Sequence, residues 1–229
     1  MKKDPRVAGL IAVLREVGIT DEKVLSALER IPRHLFVPPT FQDHAYDNTA
    51  LPIGHGQTVS QPQIVAMMTA ALDLNHRCKV LEVGTGSGYQ TAVLARVCRR
   101  VFSIERHPGL LEGAQALFKT LRIQNVESLA GDGYLGWPDQ APFDRIIVTA
   151  AAEDEVPPAL IDQLAPRGIL VIPVARSPID QRLLRLARVG DGIETTDLGA
   201  VRFVPLVSEH DADRPQPLTK AIARLRRRP

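Results

Sequence analysis

One stretch constrains this 229-residue chain more than any other: Cys78 to Ala95, CKVLEVGTGSGYQTAVLA. Val80, Leu81 and Val83 are strand formers, and Gly84, Gly86 and Gly88 allow a tight turn whose backbone a ligand can approach closely. Thr91, Ala92, Leu94 and Ala95 then carry a helical pattern. Strand, turn and helix in that order begin a doubly wound α/β fold, and the helix presents unpaired N–H groups to a crevice at the strand's carboxyl end. Spacing selects among ligands. A G-x-G-x-x-G/A dinucleotide fingerprint needs a small residue where Tyr89 stands, and Gly88 comes one residue early. No G-x-x-x-x-G-K-[ST] phosphate loop occurs.

The pattern that remains, E-x-G-x-G-x-G from Glu82, resembles motif I of the class I S-adenosylmethionine-dependent methyltransferases. A second strand over Arg100 to Glu105 strengthens it. Its terminal acid follows the first glycine by about twenty residues, where a carboxylate can accept hydrogen bonds from both ribose hydroxyls. Glu105 is the expected ribose ligand. A third strand, Val126 to Ala130, leads into Gly131-Asp132-Gly133, where Asp132 can bond an adenine amine, although a bare turn favours the same residues.

The rest of the chain reads around this centre. Val7, Leu10, Ile11 and Leu14 mark a first helix over residues 6–18, and Thr20 or Asp21 caps a second that ends before Pro32. Arg33 to Pro39 reads as an extended connector, because residues before proline avoid helical geometry. Residues 45–63 are too rich in Gly, Pro, Asn and Thr for regular structure, and a long loop inside a compact domain is usually functional. There Thr58 and Ser60 either cap the helix that starts at Ile64 or face a ligand. Pro108 to Leu121 is helical, and Phe143 to Thr149 is a strand buried on both faces. A helix over Pro157 to Ala165 capped by Gly168, a fifth strand over Ile169 to Val174, and an antiparallel pair, Gln181 to Val189 with Val201 to Val207, complete the core.

Composition narrows the class. Hydrophobic residues make up 45% and charged residues 24%, and no apolar run approaches the eighteen or so residues of a membrane span. The start of the chain lacks the pattern of a signal peptide, so a cytoplasmic location is expected. Cys78 and Cys98 are too few for a disulfide framework or a metal cluster, and no metal is expected. A formal charge of +2 argues against a large nucleic-acid surface, apart from a basic tail at Lys220, Arg224, Arg226, Arg227 and Arg228.

Seven segments, RHLFVPP, AYDNTALPIGHGQTVSQP, VLEVGTGSGYQTAVLA, FSIER, GDGYLGW, PFDRIIVTAA and VRFVPL, together resemble the protein-L-isoaspartate O-methyltransferases over roughly residues 20–207. The GQTVSQP loop is the specific part. The resemblance implies a mostly parallel seven-stranded Rossmann-like sheet with helices on both faces, an N-terminal helical cap and antiparallel edge strands. It divides a single domain into cap and substrate loop (1–63), cofactor core (64–207) and tail (208–229). It implies S-adenosylmethionine as methyl donor, with S-adenosylhomocysteine as product. The expected contacts are Glu82, Gly84, Thr85, Gly86, Gly88, Glu105, Arg106, Gly131, Asp132, Gly133 and Thr149. Ser60 is expected beside the transferable methyl, helping to hold the substrate carboxylate, and Thr58 shapes the same site. Gln63 stands where that family often has an aromatic residue.

The implied activity is methyl esterification of the α-carboxylate of L-isoaspartyl residues in damaged proteins and peptides, which opens repair through a succinimide. The enzyme is expected to act as a monomer, with no nucleic-acid or membrane partner. An ionised carboxylate is already a nucleophile, so no general base is needed. Amine-directed methyltransferases usually carry N/D-P-P-Y/F/W after strand four, and Thr149-Ala150-Ala151-Ala152 has none. Two alternatives stay open: a class I methyltransferase for RNA or a small molecule, and a binding module that has lost turnover.

Overall fold

The computed structural model describes residues 4–177 and 179–208. The basic tail and the short helix expected near Leu218 lie outside the described residues. The chain begins with two helices, α1 (Arg6–Glu16) and α2 (Glu22–Arg30). Asp21 caps α2 by accepting from the amides of Lys23 and Val24, a cap worth about 1 kcal/mol. Val7, Leu10 and Leu14 of α1 and Val24, Leu25 and Leu28 of α2 are buried in one hydrophobic cluster.

The expected extended connector at 33–39 is instead two 3₁₀ turns, Arg33–Phe36 and Pro39–His44. Pro32 and Pro38 each stand just before a turn and supply its first carbonyl acceptor, to Leu35 and Phe41. The expected irregular loop at 45–63 also holds regular structure. Leu51–Gly54 (β1) and Gln57–Val59 (β2) form an antiparallel hairpin. His55 and Gly56, both with positive φ, make its two-residue turn, a geometry whose twist suits a hairpin. Helix α3 (Pro62–Ala71) follows, with proline at its first position.

The central sheet runs through β3 (Lys79–Val83), β4 (Arg100–Glu105), β5 (Val126–Ala130), β6 (Phe143–Val148), β8 (Leu164–Ser177), β9 (Asp180–Val189) and β10 (Gly192–Ala200). A two-residue strand, β7 (Ala152–Glu153), joins the end of β8. The order is β10-β9-β8-β6-β3-β4-β5, parallel from β8 to β5 and antiparallel at the β9 and β10 edge. Helices α4 (Tyr89–Val97) and α5 (Pro108–Thr120) carry the chain from β3 to β4 and from β4 to β5. The chain then returns to the other side of β3 as β6, so the switch point of this sheet lies between β3 and β6.

Alternate residues of the parallel strands feed two cores. Val80, Val101, Ile147 and Val171 pack with the cluster that holds α1 to α4. Leu81, Val83, Ile104, Ile146 and Ile172 pack on the opposite face with Leu160 of the short helix α6 (Pro158–Asp162). That helix was expected to reach Ala165 under a Gly168 cap. It stops early because the carbonyl of Gln163 accepts from Phe143 and Leu164 pairs with Phe143, which starts β8 there.

The antiparallel pair around Gly190-Asp191-Gly192 is present, but the partner of β9 is Gly192–Ala200 and not Val201 to Val207. Residues 201–207 instead cross the carboxyl end of the sheet as a strap. The amide of Ala151 donates to Val204 at 2.8 Å, and that of Leu206 to Ala151 at 2.7 Å. The side chain of Gln181 brackets Phe203, donating to its carbonyl at 3.1 Å and accepting from its amide at 2.7 Å. Two hydrogen bonds from one amide side chain thus replace the strand pairing expected there.

Candidate active site

The glycine turn after β3 is fixed from two sides. The amides of Gly84 and Thr85 both donate to the carbonyl of Ile104, at 2.8 and 3.2 Å. On the other side Thr149 Oγ1 donates to the carbonyl of Gly84 at 2.7 Å. Gly84 has φ of 96°, and a Cβ there would lie 2.3 Å from Thr149 Oγ1, so only glycine fits. Gly88, with φ of 86°, begins α4 and leaves room for Phe118 of α5, whose ring a Cβ would meet at 2.7 Å.

Beneath the turn lies a buried relay of hydroxyls. Glu82 Oε2 accepts from Thr91 Oγ1 at 2.5 Å and from Ser103 Oγ at 2.6 Å, and Ser103 is in turn 2.6 Å from Thr85 Oγ1. Glu82 and Ser103 are paired neighbours on β3 and β4. Burial pushes the Glu82 carboxyl up to about 8, against the two hydroxyl donors that pull it down. Glu82 Oε1 has no hydrogen-bond partner.

Above the turn opens a cavity of about 430 Å³. Its floor is Gly84, Thr85, Gly86, Ser87 and Tyr89, with Glu105, Arg106 and His107 on one side and Thr149 and Ala150 on the other. Glu105 accepts from the amide of Gly86 at 2.8 Å and from that of His107 at 2.9 Å. Each carboxylate oxygen therefore has one backbone donor and keeps a lone pair for another. The cover comes from far along the chain: Gln57, Thr58, Val59 and Ser60 of the hairpin, and Val204 to Val207 of the strap.

Among the expected site residues, Thr58, Ser60, Gly84, Thr85, Gly86, Glu105, Arg106, Gly133 and Thr149 meet at this cavity. Glu82, Gly88, Gly131 and Asp132 do not reach its wall. Glu82 lies in the sheet, Gly88 packs α5, and the amide of Gly131 extends the β4 pairing by donating to Glu105. Asp132 caps a 3₁₀ turn by accepting from Tyr134 at 2.8 Å, and it also accepts from Ser208 Oγ at 2.9 Å.

Neither Thr58 nor Ser60 caps α3. Its start is served by Asn48, which accepts from the amide of Gln63 at 3.0 Å and donates to Gln63 Oε1 at 3.1 Å. A remote asparagine thus frees both hydroxyls for the cavity, and Gln63 is committed to Asn48.

Sequence reasoning missed His55 and His107, whose rings stack 5.2 Å apart and close the hairpin tip onto the start of α5. The G-H-G turn signal around His55 was available for it. It also missed the strap as a wall, because a VRFVPL run reads as a strand.

A parallel sheet with a glycine turn and a terminal carboxylate at its switch point is the frame of a class I S-adenosylmethionine-dependent methyltransferase. The family model for protein-L-isoaspartate(D-aspartate) O-methyltransferase matches residues 6–211, and the chain belongs to that family. It is 57% identical over 207 residues to the protein-L-isoaspartate O-methyltransferase of Paramagnetospirillum magneticum, covering 90% of this chain and 96% of that one. The enzyme of the same name from Maricaulis maris is 58% identical over 204 residues, with 89% and 95% covered. Among solved structures, a putative member from Plasmodium falciparum in complex with S-adenosyl-L-homocysteine superposes with a TM-score of 0.76 at 27% identity, covering 87% of this chain and 97% of that one. Another protein-L-isoaspartate O-methyltransferase gives 0.78 at 28% identity; 88% of this chain is covered, and it spans 66% of that longer one.

Proposed function

We propose that this chain methylates the free α-carboxylate of L-isoaspartyl residues in proteins and peptides, initiating their repair through a succinimide. The observation that carries the reading is the meeting of two hydroxyls, Thr58 and Ser60, with the glycine turn and Glu105 across one cavity. The cavity suits the donor. Its volume lies in the range of small-ligand sites, apolar Val83 and Ile104 stand beside Glu105, and the wall combines acceptor and backbone groups. When bound there, S-adenosylmethionine supplies an electrophilic methyl group. Glu105 accepts from the ribose hydroxyls, the turn at Gly84 to Gly86 holds the amino-acid arm, and Gly133, packed closely on Val83, borders the ring. Asp132, one residue from the wall, serves the adenine amine.

The protein's remaining work is to orient the substrate. A carboxylate is ionised at neutral pH and needs no proton removed. Thr58 and Ser60 donate hydrogen bonds to it without neutralising it. The hairpin and the strap exclude water from the reacting atoms, and such positioning can lower a barrier by roughly several kcal/mol. We infer a cytoplasmic monomer acting on protein and peptide substrates. Two free buried cysteines and exposed large apolar side chains scattered over the surface, such as Leu135 and Ile179, support this. Among the described residues no helix is long and apolar enough to cross a membrane.

The test is methyl incorporation from labelled S-adenosylmethionine into an isoaspartyl peptide and its aspartyl isomer. The reading expects ester on the first and almost none on the second. Equal labelling would sink it.

A further inference from the structure

Arg33 is a fully buried cation whose neighbours are neutral. Its exposure is 0%, and it takes part in none of the ion pairs among the described residues. Nε donates to the carbonyl of Ala45 at 2.8 Å, and Nη2 donates to that of Ser60 at 2.9 Å and reaches that of Thr49 at 3.4 Å. The guanidinium lies 4.6 Å from the centroid of the Tyr89 ring. Nη1 and the Tyr89 hydroxyl are both buried and make no hydrogen bond of ordinary geometry, while the hydroxyl favours the charged guanidinium beside it.

Burying a charge without a counter-charge costs several kcal/mol, and burial pulls the Arg33 pKa down, yet arginine keeps its proton in proteins. Three carbonyls and a ring face offset part of that cost and leave a net positive charge. Tethering residues 45–60 alone would not require one. Both groups that Arg33 holds, Ser60 and Tyr89, are walls of the cavity. A charge set behind a dry wall acts on the cavity more strongly than one in water. The acceptor in the proposed reaction is an anion.

We propose that Arg33 is a positioning residue that fixes Ser60 and supplies the uncompensated positive charge that draws the substrate carboxylate to the hairpin wall. This rests on the isoaspartyl reading of the site. Arg33 does not touch the reacting atoms. It acts through the Ser60 backbone and through its field, so it should govern acceptor binding while affinity for S-adenosylhomocysteine, whose sulfur is neutral, holds.

The experiment compares wild type, Arg33→Met and Arg33→Lys for isoaspartyl-peptide KM and kcat and, by calorimetry, for S-adenosylhomocysteine affinity. Arg33→Met is expected to raise peptide KM about tenfold or more, with S-adenosylhomocysteine affinity within about twofold. Arg33→Lys, which keeps the charge and loses the fork, should recover much of that loss. Equal KM effects of Met and Lys, an unchanged KM, or a parallel loss of donor affinity would each overturn the proposal. Should Arg33→Met fail to fold, wild type decides: an isoaspartyl peptide carrying an α-carboxamide should bind about tenfold more weakly than the carboxylate, and equal binding defeats the idea. Failure of wild type to methylate any isoaspartyl peptide would instead remove the underlying reading.

Discussion

Below the cavity, the turn and its neighbours are fixed by backbone bonds and short side-chain bonds: Glu105 by two amides, Gly84 by Thr149 and Ile104, and Thr85 through Ser103 to Glu82. Above it, the strap has two backbone bonds to Ala151, and the rest of the cover is held by single side chains, Arg33, Asn48 and Gln181, and by Ser208 reaching Asp132. The floor is short in sequence and rigid, and it suits one invariant ligand. The cover is assembled from both ends of the described chain and suits a variable peptide. This division teaches that cofactor and substrate recognition can be altered separately, because they rest on different kinds of contact.

The floor should fail first and hardest. Gly84→Val would place a side chain against Thr149 in a left-handed backbone, a cost of about 3 kcal/mol or more. The variant is expected to lose S-adenosylhomocysteine binding by calorimetry. Wild-type affinity would contradict the rigid floor.

The cover should yield by degrees. Gln181→Ala removes both bonds that bracket Phe203, and peptide KM should rise about fivefold while donor affinity holds. A matched loss of donor affinity would mean that strap and floor are one unit.

At Glu82 the readout is pH. Its folded-state value is raised from 4.5 to about 8, so the folded protein holds the proton more tightly than the unfolded chain does. That stability is fully present below about 4.5 and is lost as pH rises through about 8. Glu82→Gln, which does not ionise, should gain in Tm relative to wild type as pH rises across that window. A Tm difference that stays flat with pH would show that Glu82 is not held protonated.

The same division explains what the sequence makes legible. Strand, glycine turn and terminal acid are local patterns, so Val83 to Gly88 and Glu105 can be placed from spacing alone. Parallel strands buried on both faces also announce themselves as apolar runs, as Ile146 to Val148 does. The cover depends on partners far apart. Nothing near Val201 says that Gln181 will mimic a strand for it, so the apolar run there reads as sheet. Asn48 and Gln63 lie fifteen residues apart, so the rival capping role of Thr58 and Ser60 falls away only in the folded chain. Thr149 is legible as a crevice residue, whereas Glu82, expected beside it, lies buried in the sheet; the work of both in bracing the turn appears only in three dimensions.

The separation of floor from cover is decided by Ser60→Ala, measured for S-adenosylhomocysteine affinity and for kcat/KM on an isoaspartyl peptide in the same preparation. The predicted result is a fall in kcat/KM of about tenfold or more with donor affinity within about twofold of wild type. An unchanged kcat/KM, or a loss of both quantities together, would contradict it.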